Sequence, residues 1–103
     1  MISLNIIKSY RDVIAVCDKE ILGKKFEEKF GEHIKQLDIK DNFYRGEEVS
    51  EEKAAETMKR FAREDATFNI AGEKSVAAAL KAGVISKEAI GSIQGIQFAL
   101  VLL

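Results

Sequence analysis

The stretch Ala66–Gly83, ATFNIAGEKSVAAALKAG, constrains the fold more than any other part of this 103-residue chain. Thr67-Phe68-Asn69-Ile70 reads as a short buried strand, Gly72 as a breaker, Glu73–Ala82 as an amphipathic helix and Gly83 as its stop. Val76, Ala77, Ala79 and Leu80 are expected to face inward, and Val84 to make the hydrophobic contact that follows a glycine-terminated helix. A helix that begins directly after a strand aims its free N–H groups past the strand end. Gly72, Lys74 and Ser75 are therefore the candidate anion site. The spacing is not that of a phosphate-binding loop, and Glu73 in the first turn would repel a phosphate.

Upstream, Ile2–Ser9 alternates loosely, Tyr10-Arg11-Asp12 makes a polar turn, and Val13–Cys17 is a β-branched apolar run, together predicting a hairpin. Leu22, Phe26, Phe30 and Ile34 recur every fourth residue, which predicts a short helix around Lys24–Phe30 interrupted near Gly31. Leu37–Lys40 reads as a brief edge strand and Asp41–Glu48 as a loop whose bulky part is Phe43-Tyr44. Ser50 caps a helix over Ser50–Arg63: Ala54, Met58, Phe61 and Ala62 share one face, acids sit in the first turn and Lys59, Arg60 and Arg63 sit late. Val49 can staple to Ala54. Ser86 caps one further turn, and Ile93–Leu103 reads as a single apolar strand buried on both faces or lying at an interface. The resulting order, β-β-α-β-α-β-α-β, predicts one α+β domain over residues 1–103, a mixed sheet with two to three helices packed on it.

Composition narrows the function classes. Sixteen basic residues against seventeen acidic ones leave no overall basic excess, so any nucleic-acid role needs a local patch. One cysteine precludes an internal disulfide, and one cysteine with one histidine cannot fill a structural zinc site. Cys17 is expected in the core, with no histidine near it in sequence to make a catalytic pair with His33. The paired carboxylates, such as Glu27-Glu28 and Glu51-Glu52, diverge on surface segments, so neither metal nor cofactor nor catalytic residues are expected. MISLNIIKSYRDV has no signal-peptide pattern, and the longest apolar run, Phe98–Leu103, is far shorter than a membrane span, so a cytoplasmic protein is expected. Phe43-Tyr44-Arg45-Gly46 joins two aromatics to a cation. Exposed, it could stack on a base, with Lys24, Lys25, Lys59, Arg60 and Arg63 completing a basic patch. Folded back, the two aromatics would instead cover one end of a small core, which is the favoured expectation.

Three blocks carry a family resemblance: Val16–Lys24 (VCDKEILGK), Phe43–Ser50 (FYRGEEVS), and Asn69–Val76 (NIAGEKSV) with Gly83-Val84-Ile85. On these the chain resembles a small archaeal family catalogued as domain of unknown function 424. The resemblance implies a cytosolic archaeal protein with a link to translation or RNA handling. Two departures stand out: Lys25–Lys35 looks like a local insert, and Phe98 falls where the family pattern carries a histidine. Three readings follow. The first is a non-enzymatic binding module for RNA or a ribosome-associated protein. The second is a small ligand-binding protein or enzyme with an anion at Gly72–Ser75, and the third an assembly subunit dimerising through Ile96–Leu103.

Overall fold

The computed structural model describes residues 1–102. In chain order the elements are strands β1 (Ile2–Ile7) and β2 (Val13–Asp18), strands β3 (Lys25–Phe30) and β4 (His33–Asp38), the one-turn helix α1 (Asp41–Tyr44) and strand β5 (Glu47–Val49). Helix α2 (Glu51–Ala62), strand β6 (Thr67–Ala71), helix α3 (Glu73–Lys81) and strands β7 (Gly91–Ile93) and β8 (Ile96–Val101) follow. The fold is α+β. Six strands form a mixed sheet in the order β5-β1-β2-β6-β8-β7, and β3 and β4 form a separate two-stranded sheet. Only the β2–β6 pairing is parallel, its crossover running through the small hairpin, α1, β5 and α2. Both edge strands of the large sheet have three residues, which limits edge-to-edge pairing with other chains.

Residues opposite one another across the ladders share a face. Ile2, Leu4, Ile14, Val16, Phe68 and Ile70 make one face, buried beneath Ala54, Met58 and Phe61 of α2 and Val76 and Ala79 of α3. Ala15, Cys17 and Ala71 make part of the other face, covered by Ile39 and Tyr44 with Phe26, Leu37 and Phe43 at the margin. The sheet is thus sandwiched between two helices and a lighter cover of α1 and the base of the β3–β4 hairpin. Ser3 stitches that cover down: its hydroxyl donates to the Tyr44 carbonyl at 2.9 Å and accepts from the Gly46 N–H at 2.9 Å.

Helix α2 starts where Ser50 predicts, the hydroxyl accepting the Lys53 N–H at 3.1 Å. Ala55 and Thr57 join Ala54, Met58 and Phe61 on its buried face, whereas Ala62 is exposed. Helix α3 closes with Val84 N–H donating to Ala79 and Gly83 N–H to Leu80, both at 3.0 Å, the paired closure expected of a glycine stop. Its inward residues are Ser75, Val76, Ala78 and Ala79; Ala77 is exposed rather than inward.

Three expectations are corrected here. The segment expected to be helical around Lys24–Phe30 is the β3–β4 hairpin, turned by Gly31-Glu32 with Gly31 at φ 57°. A spacing of four residues is two whole strand periods, so Phe26 and Phe30 fall on one strand face as readily as on one helix stripe. Ile39, expected in the third strand, instead closes the hairpin base, donating to the Lys24 carbonyl at 2.9 Å while its own carbonyl accepts the Gly23 N–H at 2.8 Å. The final apolar segment is likewise two strands, not one. Gln94-Gly95, with φ of 51° and 78°, forms a two-residue turn of the kind that matches strand twist.

Candidate functional site

The N-terminus of α3 already holds an anion, supplied by the chain itself. Asp18, at the end of β2, accepts the Lys74 N–H at 3.0 Å through Oδ2, and the Ser75 N–H and hydroxyl at 2.8 Å each through Oδ1. The two elements are brought together by the parallel β2–β6 pairing, which ends both strands at the same level. Gly72 has φ 105°, and a Cβ there would lie 2.4 Å from the Asp18 carboxyl carbon, so close approach and backbone conformation both demand glycine. The Lys74 ammonium reaches Glu20 at 3.3 Å rather than an open space. A hydrogen bond from its own backbone, and then the Lys74 ammonium, hold the Glu20 carboxyl below its ordinary range. The donors expected to serve an exogenous anion are therefore engaged within the chain: the Lys74 and Ser75 N–H groups and the Ser75 hydroxyl by Asp18, the Lys74 ammonium by Glu20, and the Gly72 N–H by the Gln97 carbonyl at 2.7 Å.

Cys17 and His33 are far apart in role. Cys17 is fully buried, and desolvation, then the neighbouring Asp18 charge, push its thiol from 9.0 up to about 12. His33 is exposed at the far end of the small hairpin, opposite Phe30. Among the described residues no group of three or more His, Cys, Asp or Glu side chains is placed to hold a metal ion.

Phe43 and Tyr44 fold back onto the second face of the sheet, as the favoured expectation had it. Tyr44 is buried, Phe43 is half-buried, and their rings meet edge to face at 5.1 Å between centroids. Burial pushes the Tyr44 hydroxyl up to about 12. Arg45 is exposed and forked onto Asp41 through bonds of 2.8 and 2.6 Å. Lys24 and Lys25 belong to this same side, at the base of the hairpin. Lys59 and Arg60 of α2, and Arg63 at its C-terminal cap, lie across the sheet. The sheet separates the two sets.

The structure gathers a different group around the end of α2. Lys8 Nζ and the Arg60 guanidinium both lie 5.3 Å from the centre of the Phe61 ring, which brings the β1–β2 turn against the helix terminus. The Asp12 carbonyl accepts the Thr67 N–H at 3.0 Å, fastening the turn to the start of β6. Between Lys8 and Arg11 stands Tyr10, wholly exposed at 105%. Lys8 pairs with Asp12 at 3.2 Å; among the described residues no ion pair engages Arg11, Lys59, Arg60 or Arg63. The KSYRD string carries two cations around an aromatic, a visible signal, but its meeting with α2 is a tertiary event. An open groove of about 250 Å³ lies between α2 and α3, lined by Glu52, Glu56, Lys59 and Lys81 among others, its charges balanced.

Comparison with known proteins agrees on the fold. An uncharacterized conserved protein from Methanopyrus kandleri, solved as a crystal structure, superposes with a TM-score of 0.82 at 24% identity, covering 97% of this chain and 89% of that one. No curated protein matches. The family profile described as "Protein of unknown function (DUF424)" matches residues 7–103.

Proposed function

The chain belongs to the DUF424 family, and from its geometry we propose that it is a non-enzymatic binding module that contacts RNA, in an accessory role to translation or RNA handling. The observation that carries this reading is the meeting of Lys8 and Arg60 at the Phe61 ring, with Arg11 on the same turn as Lys8 and Arg63 at the C-terminal cap of α2. Net charge near zero leaves RNA attraction to such a local patch, and here the turn is fastened to the rest of the fold by the Lys8–Phe61 contact and by the Thr67–Asp12 bond. The groups with chemical potential elsewhere have structural employment, Cys17 in the core and Asp18 with Ser75 at the start of α3. Binding of RNA oligonucleotides across a salt series tests the proposal. The expected result is affinity at low salt that falls as salt rises, with Arg60→Ala and Arg63→Ala together reducing the salt slope by about two. No detectable binding at low salt overturns it.

A second reading, self-association through Ile96–Leu103, is favoured by Leu100 and Leu102, which stand 53% and 68% exposed; Leu103 lies outside the described residues. Sedimentation at high concentration tests it: a monomer removes the reading, and a dimer dispersed by Leu100→Lys upholds it.

A further inference from the structure

We infer that Tyr10 is a stacking platform for an unpaired base, so that the ligand of this patch is single-stranded nucleic acid rather than a duplex. The inference rests on the RNA reading above and goes beyond it, because cations alone recognise phosphate in any strand. Tyr10 serves no purpose in the fold: at 105% exposure its ring is in contact with solvent on both faces, in a chain with only two tyrosines and no tryptophan. Its weight here comes from its place: both ring faces are open on the turn that also carries Lys8 and Arg11.

The backbone beneath the ring is nonetheless held. Ser9 donates its hydroxyl to the Arg11 carbonyl within the turn, Lys8 bridges to Asp12 at 3.2 Å, and Asp12 accepts from Thr67 at 3.0 Å. With the turn backbone held, only the ring itself has to be ordered when a base stacks on it, which limits the cost of stacking. Lys8 and Arg60, each 5.3 Å from the Phe61 ring, are no further apart than twice that distance, and Arg11 adjoins Tyr10 in sequence. The tyrosine thus stands on the turn that carries Lys8 and Arg11 and that packs against the end of α2, where Arg60 lies. Aromatic platforms beside backbone-tracking cations are the physical basis of sequence-tolerant single-strand binding, and duplex bases offer no free face to stack on.

The test uses the full chain, an oligouridylate and a duplex RNA of equal length. Wild type is expected to prefer the single strand. Tyr10→Ala should weaken oligouridylate binding roughly tenfold, with the salt slope unchanged. Tyr10→Trp should bind at least as well as wild type and introduce the sole tryptophan, whose fluorescence is quenched at saturation. Oligouridylate bound equally by Tyr10→Ala and wild type, or an unquenched Tyr10→Trp at saturation, overturns the inference and leaves the RNA reading standing. Equal affinity for the duplex also overturns it. Polyglutamate that quenches the tryptophan as RNA does would assign the patch to an acidic protein and overturn both, as would the absence of any RNA binding.

Discussion

Asp18 does the work at residue scale that joins β2 to α3. One carboxylate satisfies two backbone N–H groups that the helix leaves open and the hydroxyl of fully buried Ser75. Asp18→Ala leaves those donors without a partner, and we expect a loss of about 1–3 kcal/mol in urea unfolding. Asp18→Asn, which keeps an acceptor, should fall between. Cys17 and Tyr44 set the alkaline limit. Both have folded-state pKa values raised to about 12, from 9.0 and 10.0, so the fold binds the proton more tightly than the unfolded chain does. Their stabilisation is therefore complete below pH 9.0 and is lost as pH rises toward about 12. Stability measured across that window should decline, by at most about 1.4 kcal/mol per pH unit for each group. Cys17→Ala should delay the onset toward the Tyr44 range. The same burial predicts that thiol reagents modify Cys17 only on unfolding.

The β3–β4 hairpin shows how one sequence pattern serves two kinds of element. Phe26 and Leu37 sit opposite one another and reach the core, while Phe30 and Ile34, nearer the tip, are 53% and 56% exposed. Side-chain bonding to the rest of the molecule comes at mid-length, where Gln94 donates to Glu27 and Glu28. Alanine at Phe30 or Ile34 should change stability by no more than about 0.5 kcal/mol, and Phe26→Ala by clearly more. Gly31→Val, at a φ of 57°, should loosen the hairpin alone, seen as faster amide exchange in β3 and β4 with the six-stranded sheet unaffected. Charge-rich strands such as KFEEKF give little help from composition, because Lys and Glu favour helices and only the tight turn and a partner strand reverse the preference. Helix α2, by contrast, has its cap, its dipole-matched charges and its main apolar stripe in agreement, so its extent was legible, though not every residue of its buried face.

Across the whole molecule, the sheet is a partition. Candidate residues that look like one set along the chain lie on two sides of it: Lys24, Lys25 and the Phe43–Arg45 turn on one, Lys59, Arg60 and Arg63 on the other. The division predicts an asymmetry in binding. Lys24→Ala with Lys25→Ala should leave the RNA salt slope unchanged, whereas the Arg60 and Arg63 pair should lower it. The sequence by itself determined the α+β class, the hairpin of β1 and β2, helices α2 and α3 with their caps, and the strand between them, because these follow from local periodicity and from end groups a few residues apart. It also identified the family. Only the tertiary structure decided that a candidate helix is a hairpin, that the last apolar segment is two strands, and that the turn carrying Lys8, Tyr10 and Arg11 meets the end of α2 through Lys8. The Ala66–Gly83 stretch changes most in meaning. Its strand, glycine and helix were readable in sequence, but the anion at the helix start is Asp18, more than fifty residues earlier. A backbone N–H records only that it needs an acceptor; which acceptor arrives is settled by the parallel pairing of β2 with β6.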